Sequence, residues 1–542
     1  MRRDRARNVA PILLLLLAGA ADAKQPHLPP PNGNGGCQEY SSYSMRAQGT
    51  PSTGPLGLPY MRPPPGCRTF NSSAVEKVLT NLTSRMTDPD LARLFENTYP
   101  NTLDTTIRWA GPNLTFVVTG DIPAEWLRDS SNQMKVYLPL LAHDEPLRQL
   151  TKGVINLQAR YIAQYPYCNA FQPPPESGLP PQGGSGDTGA SVSPPDNLTI
   201  VWTCGYELDS VLSFLQLSRL YYEYSNDTSI FTFNNGSWFT TVEGILQLIE
   251  DQAVPTYDDE GNVVSFYNIS GPNQQYMKNN GRGPPKALTG MIGTTYRPSD
   301  DVVDFPYNIP HQAMAVVELR GLASIYSQLK AVARADPELH TIMSALSAPH
   351  IDTLALKRAN KVEKGIYEYG TVTTKHWGEV FAYEVDGFGG VAIQDDPNVP
   401  SLVSIPYLGF VNATNKIYRN TRKMVLSRTG NPYYGFGPAI RGVTSPHVDE
   451  KHVWPMGLVS EVVSATKDED VLTAFAWLKN STTGLGLIHE SVNTHDGTDY
   501  TRSWFAWANS YFAEAVLQIA ETKPHLLFKD GKGWNLTAVL DA

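Results

Sequence analysis

The chain runs to 542 residues with 18% charged side chains, and its formal net charge of -10 is spread among aromatics and prolines. That length permits a sizeable core in one large domain or in several. No basic patch stands out, which argues against a nucleic-acid partner.

Arg2, Arg3, Arg5 and Arg7 precede an apolar run from Val9 to Ala20, and Ala21-Asp22-Ala23 then offers a small-x-small cleavage site. The run is much shorter than the roughly 20 apolar residues that span a bilayer, so residues 1–23 are expected to be a cleaved signal peptide. No later stretch reads as a membrane helix. A protein secreted or held in the secretory pathway or cell wall is expected, with no membrane attachment after cleavage. Asn-x-Ser/Thr sequons at Asn71, Asn81, Asn113, Asn197, Asn226, Asn235, Asn268, Asn412, Asn480 and Asn535 offer N-glycan acceptors from end to end. Cys37 and Cys67 flank part of a Pro/Gly-rich arm over residues 24–72, a stalk or a draped segment. Cys168 and Cys204 flank a Pro/Gly/Ser-rich insert over residues 172–197. Two sequential disulfides are the simplest of the three possible connectivities.

From residue 73 the pattern turns helical, with Val75, Val78, Leu79, Leu82, Leu91 and Leu94 in period and an interruption near Asp88-Pro89. A strand-like run at Leu114 to Val118 follows. Apolar-periodic segments recur near 123–142, 146–164, 205–224, 240–253, 309–331, 336–360, 401–411, 453–466, 469–479 and 503–521. The strand-like pieces at 200–203, 263–267 and 381–383 are short and scattered, so the strand-helix alternation of a parallel sheet is missing. Close to a dozen helices predict one all-α domain over residues 73–542. An (α/α)6 barrel, with long loops at one end forming the pocket, is a natural closed arrangement for it.

Thr119 to Tyr137 sets Asp121, Glu125, Arg128, Asp129, Asn132 and Gln133 around Trp126 at a helix start. Planar hydrogen-bonding groups beside an indole suit the hydroxyls and ring faces of a sugar. Val201 to Ser210 opens another helix with Glu207 and Asp209 in its first turns. Acids there complement the helix dipole. Asp209, however, shares a face with Leu212 and Gln216, which turns its carboxylate inward, and a buried carboxylate must be paired, neutral or functional. The acids of residues 293–306 and of Tyr383 to Pro406, Asp395 and Asp396 among them, read equally well as exposed turn residues, and neither stretch has the pattern of a calcium loop. The C-terminal third gathers Arg441, His447, Trp454, His489, Glu490, Arg502, Trp504, Trp507 and Asn509. Its histidine spacings do not suit zinc. Two carboxylates from distant parts of the chain would serve glycosidic cleavage, one protonated and one ionised. Residue types alone leave several pairs open.

The stretches 119–133, 205–210, 395–409, 442–447, His489-Glu490-Ser491 and 504–510 resemble the family 125 glycoside hydrolases, in a secreted, fungal-type form, and the resemblance covers about residues 73–525. It implies an (α/α)6 barrel and an exo-α-1,6-mannosidase that is inverting, metal-independent and free of cofactor. The expected substrate is a mannose-containing oligosaccharide, glycan or mannan. By motif match, Asp209 is implied as general acid and Glu490 as general base, with Arg128 and Asp129 gripping the terminal sugar. Asp121, Trp126, His447, His489, Trp504 and Asn509 complete the expected substrate-binding set, and a monomer is expected. An early helical position lowers a carboxyl's pKa whereas a general acid needs it raised, so burial near Glu207 and Leu212 would have to prevail. Inversion would set the two carboxyls roughly 6.5–9.5 Å apart. Two other classes fit the pattern: an inverting glycosidase of different specificity, such as an α-glucosidase, on the same barrel, and a non-catalytic mannan-binding cell-wall protein. The presence of both carboxylates argues against the latter.

Overall fold

The computed structural model describes residues 36–183, 191–270, 278–346 and 350–541. The expected signal peptide, residues 24–35 of the arm and residues 184–190 of the insert lie outside them.

Two concentric rings of helices form an (α/α)6 barrel. The inner ring is built from Leu127–Lys135, Leu208–Ser225, Ile309–Val332, Ile405–Leu408, Pro455–Val463 and Ala506–Thr522. The first four pack in that order, the fifth packs on the sixth, and the sixth packs back on the first. Gly457 lies against Pro397, in the loop leading to Ile405–Leu408, and so completes the circle. Pro89–Thr98, Glu145–Gln164, Ser229–Gln252, Ile351–Tyr369, Lys416–Val425 and Asp468–Asn480 alternate with the inner helices and cover them.

The position in the barrel explains the residue pattern of each helix. Leu208–Ser225 is walled in on all sides over its first half, where every residue from Leu208 to Leu215 is buried. The outer Lys416–Val425 buries only a stripe of Tyr418, Thr421, Met424 and Val425, and exposes Lys416, Arg419 and Lys423. Caps fix several starts: Asp88 accepts from Asp90 N and Leu91 N, Asp144 from Leu147 N, and Asn308 from His311 N. The Asp88 cap divides Ser73–Arg85 from Pro89–Thr98 at the expected interruption. The expected helix over 336–360 is two helices, Pro337–Ala345 and Ile351–Tyr369.

All six inner helices begin at the same end of the barrel. A five-stranded antiparallel sheet not foreseen from the sequence adds to that end, in the order Tyr434–Phe436, Arg441–Ser445, Asp449–Val453, Ser491–Asn493, Tyr500–Thr501. A smaller sheet joins Glu125–Trp126, Ala170–Phe171 and Val201–Thr203, pairing Trp126 with Ala170 and Ala170 with Thr203. Cys168–Cys204 closes beside this pairing, and Cys37–Cys67 ties the arm to itself. The described part of the arm is draped on the barrel. Tyr40 meets Trp504 edge-on at 5.2 Å, and the buried Arg62 donates from Nε to Asp104 at 2.7 Å. Within the insert, Ser191–Ser193 pairs with Asn268–Ser270. Asn71, Asn113, Asn197, Asn226, Asn235, Asn412, Asn480 and Asn535 are exposed, whereas Asn81 and Asn268 are half-buried. Among the described residues no helix is long and apolar enough to cross a membrane.

Candidate active site

Starting all inner helices at one end turns their unpaired N–H groups and positive dipole ends toward one place, which favours acidic side chains there. The site is accordingly rich in carboxylates, with Arg128 at its centre. From the first turn of Leu127–Lys135, Arg128 donates from Nη1 to Glu207 Oε2 at 2.7 Å and from Nη2 to Asp300 Oδ1 at 3.0 Å. It also lies 3.6 Å from Asp209 and 3.5 Å from Asp129, with its guanidinium 5.5 Å from the Trp507 ring centre.

Two cavities meet beside this cluster. The larger, of about 570 Å³, opens between the Asn169 and Thr203–Glu207 wall, the Tyr296–Asp304 loop, and Tyr433 with His447. The narrower one is lined by Asp121, Arg128, Asp129, Asn398, Trp454, Glu490, Arg502 and Trp507. Trp126 and Asp300 line both.

Sheet register accounts for the placement of Glu490. Ser491 pairs with Thr501, so Glu490 and Arg502 stand side by side at the end of the ladder, and Arg502 Nε donates to Glu490 Oε1 at 2.9 Å. Asp121 takes the other end of the same guanidinium. Arg502 at φ +48° and Asp300 at φ +65° are both left-handed, a conformation costing about 1–3 kcal/mol for a non-glycine residue and concentrated at functional sites.

The expected site residues thus divide. Glu490, Asp121, Trp126, Arg128 and Asp129 converge on the narrow pocket, and His447 sits exposed on the rim of the larger cavity. Asp209 does not reach either cavity. Its inward face was read correctly from the helical period, but inward here means sealed: the carboxylate has no exposed surface and lies 3.2 Å from His311 Nε2. Three others stand behind the pocket wall. Trp504 donates to Thr105 Oγ1 at 3.0 Å, Asn509 holds the Ile488 backbone through both ends of its amide, and the buried His489 stacks on Tyr500 at 4.1 Å. Asn509 and His489 shape the loop carrying Glu490, and none of the three lines the pocket.

Residues 88–517 match the family model described as metal-independent alpha-mannosidase, GH125. The chain belongs to glycoside hydrolase family GH125. It is 44% identical over 506 residues to the meiotically up-regulated gene 157 protein of Schizosaccharomyces pombe, covering 91% of this chain and 94% of that one. It also superimposes on a Streptococcus pneumoniae metal-independent α-mannosidase, solved in a non-productive complex with α-1,6-mannobiose. That match has a TM-score of 0.72 at 30% identity and covers 83% of this chain and 98% of the other.

In this GH125 chain the carboxyls titrate unequally. Burial pushes Glu207 well above the usual range against the pull of Arg128, and the charges of Asp300 and Asp209 push it further. Burial also opposes ionisation of Asp209, but His311 and Arg128 outweigh it and hold this carboxyl low. Asp300 is likewise held low against its burial by Arg128, His447 and a hydrogen bond with Glu207. Asp129 is pushed up to about 7 by burial despite Arg128. Burial drives His489 down to about 4, leaving a neutral imidazole at ordinary pH. Asp300 is the residue that sequence reasoning passed over, as one acid of an ambiguous turn. Its distinguishing signals, a left-handed backbone and a place at the junction of two cavities, exist only in three dimensions.

Proposed function

We propose that this α-mannosidase is an exo-acting enzyme of the secretory route that hydrolyses non-reducing terminal α-1,6-linked mannose with inversion. The terminal mannose occupies the narrow pocket, which ends against Trp454 and Trp507 and carries polar groups suited to sugar hydroxyls. The rest of the glycan lies in the larger cavity. The observation carrying this reading is that Asp300 lines both cavities whereas Glu490 lines only the narrow one. A proton donor to a glycosidic oxygen belongs where donor and leaving sugars meet, and a base that activates water belongs beyond the terminal sugar. Asp300 is therefore assigned as general acid in place of Asp209, with Glu490 as general base, oriented by Arg502. In the hydrogen-bonded Glu207–Asp300 pair the buried Glu207 holds the proton, because Arg128 and His447 favour the charge on the half-exposed Asp300, and that proton reaches the glycosidic oxygen through Asp300. Arg128 and Asp129 orient the mannose.

The occurrence of α-1,6-mannobiose in the pneumococcal complex supports the linkage. The test is NMR observation of α-1,6-mannobiose cleavage in the presence of a chelator. First appearance of the β anomer, at an undiminished rate, is expected. First appearance of α-mannose would overturn inversion, and no cleavage of this disaccharide beside rapid cleavage of another linkage would overturn the specificity.

A further inference from the structure

Asn169 is buried and takes no part in the chemistry above, yet it bonds both the segment that carries Glu207 and the start of the helix that carries Arg128. Its Nδ2 donates to Glu207 Oε1 at 3.1 Å, and its Oδ1 accepts from Thr203 Oγ1 at 2.9 Å and from Gly205 N at 3.0 Å. Its backbone carbonyl accepts from Leu127 N at 3.0 Å, one residue before Arg128. The disulfide from its neighbour Cys168 to Cys204 fastens it to the segment that carries Glu207.

We infer that Asn169, locked in place by the Cys168–Cys204 disulfide, is a positioning residue for proton donation: it fixes Glu207, which with Arg128 holds Asp300 at the glycosidic oxygen. The chain of contacts is direct. Asn169 holds one oxygen of Glu207 and Arg128 the other, and the second end of the guanidinium holds Asp300. Ser210 Oγ adds a donor to Glu207 Oε2 at 2.8 Å. Without Asn169, Glu207 would keep its charge partner but lose the bond that sets its plane, and the disposition of both Arg128 and Asp300 would loosen. The disulfide has a stake in catalysis for the same reason, because it clamps the strand end on which Asn169 sits against the turn that it grips.

The inference rests on Asp300 being the proton donor, and the experiment separates the two. Asn169→Ala and Asp300→Asn are assayed on α-1,6-mannobiose, whose leaving group needs a proton, and on 2,4-dinitrophenyl α-mannoside, whose leaving group departs without one. Asn169→Ala is expected to lower kcat on the disaccharide about 10- to 100-fold, the scale of a hydrogen bond to a charged group, while kcat on the aryl mannoside stays within about 2-fold. An equal loss on both substrates, or a rise in KM alone, would reduce Asn169 to a structural or sugar-binding role and overturn the proposal. Asp300→Asn should show the same selectivity in stronger form. If it does not, the donor assignment fails; if it does and Asn169→Ala does not, only the positioning role fails. Cys168→Ser/Cys204→Ser is expected to follow Asn169→Ala on both substrates, and reduction of the folded Cys37→Ser/Cys67→Ser variant, in which only this bridge remains, gives the same reading without a folding step. The remote pair Cys37→Ser/Cys67→Ser is the control, expected to keep wild-type kcat on both. Unchanged kcat on the disaccharide after loss of Cys168–Cys204 would overturn the part given to the disulfide.

Discussion

Arg502 donates from Nε to Glu490 Oε1 at 2.9 Å, and the guanidinium is anchored at its far side by Asp121. A base that must aim one oxygen at a water molecule gains from having the other held, because orientation and proton transfer contribute separately. Glu490→Gln should lower kcat by about 10²- to 10⁴-fold with KM and thermal midpoint close to wild type. Arg502→Met should cost less, about 10- to 100-fold in kcat. Steady-state kinetics on α-1,6-mannobiose with a thermal melt of each variant decides this. An active Glu490→Gln would remove Glu490 from the role of base.

Asp209 invites the opposite expectation. It is sealed against His311 and within reach of Arg128, so its main work is electrostatic support of the first turns of two inner helices. Breaking a buried charge pair from one side costs about 3–5 kcal/mol. Asp209→Asn should therefore lower the thermal midpoint clearly, and whatever folded enzyme remains should retain a measurable share of kcat. A variant as stable as wild type but wholly inactive would return Asp209 to the chemistry. Asp209 has its folded pKa depressed, so the stability that it contributes is present above its unfolded value near 4 and is lost as pH falls through the folded value.

These two carboxylates show what the sequence could convey. Period 3.6 located most of both helical rings, because an inner helix such as Leu208–Ser225 carries Leu, Val, Phe and Tyr on most of its circumference and an outer one carries a stripe. The same period told that Asp209 points inward, but a helix face has no means of distinguishing a cavity from a neighbouring His311. Lys416–Val425 escaped notice because ten residues with four basic ones leave a thin apolar signal. The five-stranded sheet escaped because strands of two to five residues hold too little alternation to register. It is that sheet which brings Glu490 beside Arg502 and His447 to the rim. Asp300 depended on a backbone conformation and a position between cavities, neither of which is a property of residue type.

Asp129 is nearly covered, lines the narrow pocket, and stands 3.5 Å from Arg128 Nε. Its Oδ2 is sealed against Arg128 without a hydrogen bond, so the contact between them is one of charge, and the carboxylate meets the pocket from its other side. Asp129→Ala should raise KM about 10- to 100-fold along with a fall in kcat, since bonds to a charged group are worth about 1.5–3 kcal/mol. Calorimetric titration with mannose should show the matching loss of affinity. An unaltered KM would contradict the clamp.

The buried acids also predict how stability responds to pH. Burial pushes Glu125 and Asp395 up to about 8, Asp129 to about 7 and Asp396 to about 6. Their unfolded values lie near 4, so between about pH 4 and pH 8 the native state holds protons that the unfolded chain has released. Stability then falls as pH rises across this window. His489 acts in reverse: driven down to about 4 from about 6.5, it stays neutral in the native state and favours folding as pH rises between those values. Four carboxyls against one imidazole leave the acidic direction dominant, so the thermal midpoint should be higher near pH 5 than near pH 8 at fixed ionic strength. Among the described residues the Glu125 carboxylate accepts only from Val117 N and Ser130 Oγ, and it lies outside both active-site cavities. Glu125→Gln should accordingly flatten the pH slope while leaving kcat near wild type. A midpoint that climbs steadily from pH 5 to pH 8 would mean that these carboxyls ionise in place, and the proton held beside Asp300 would then need a different account.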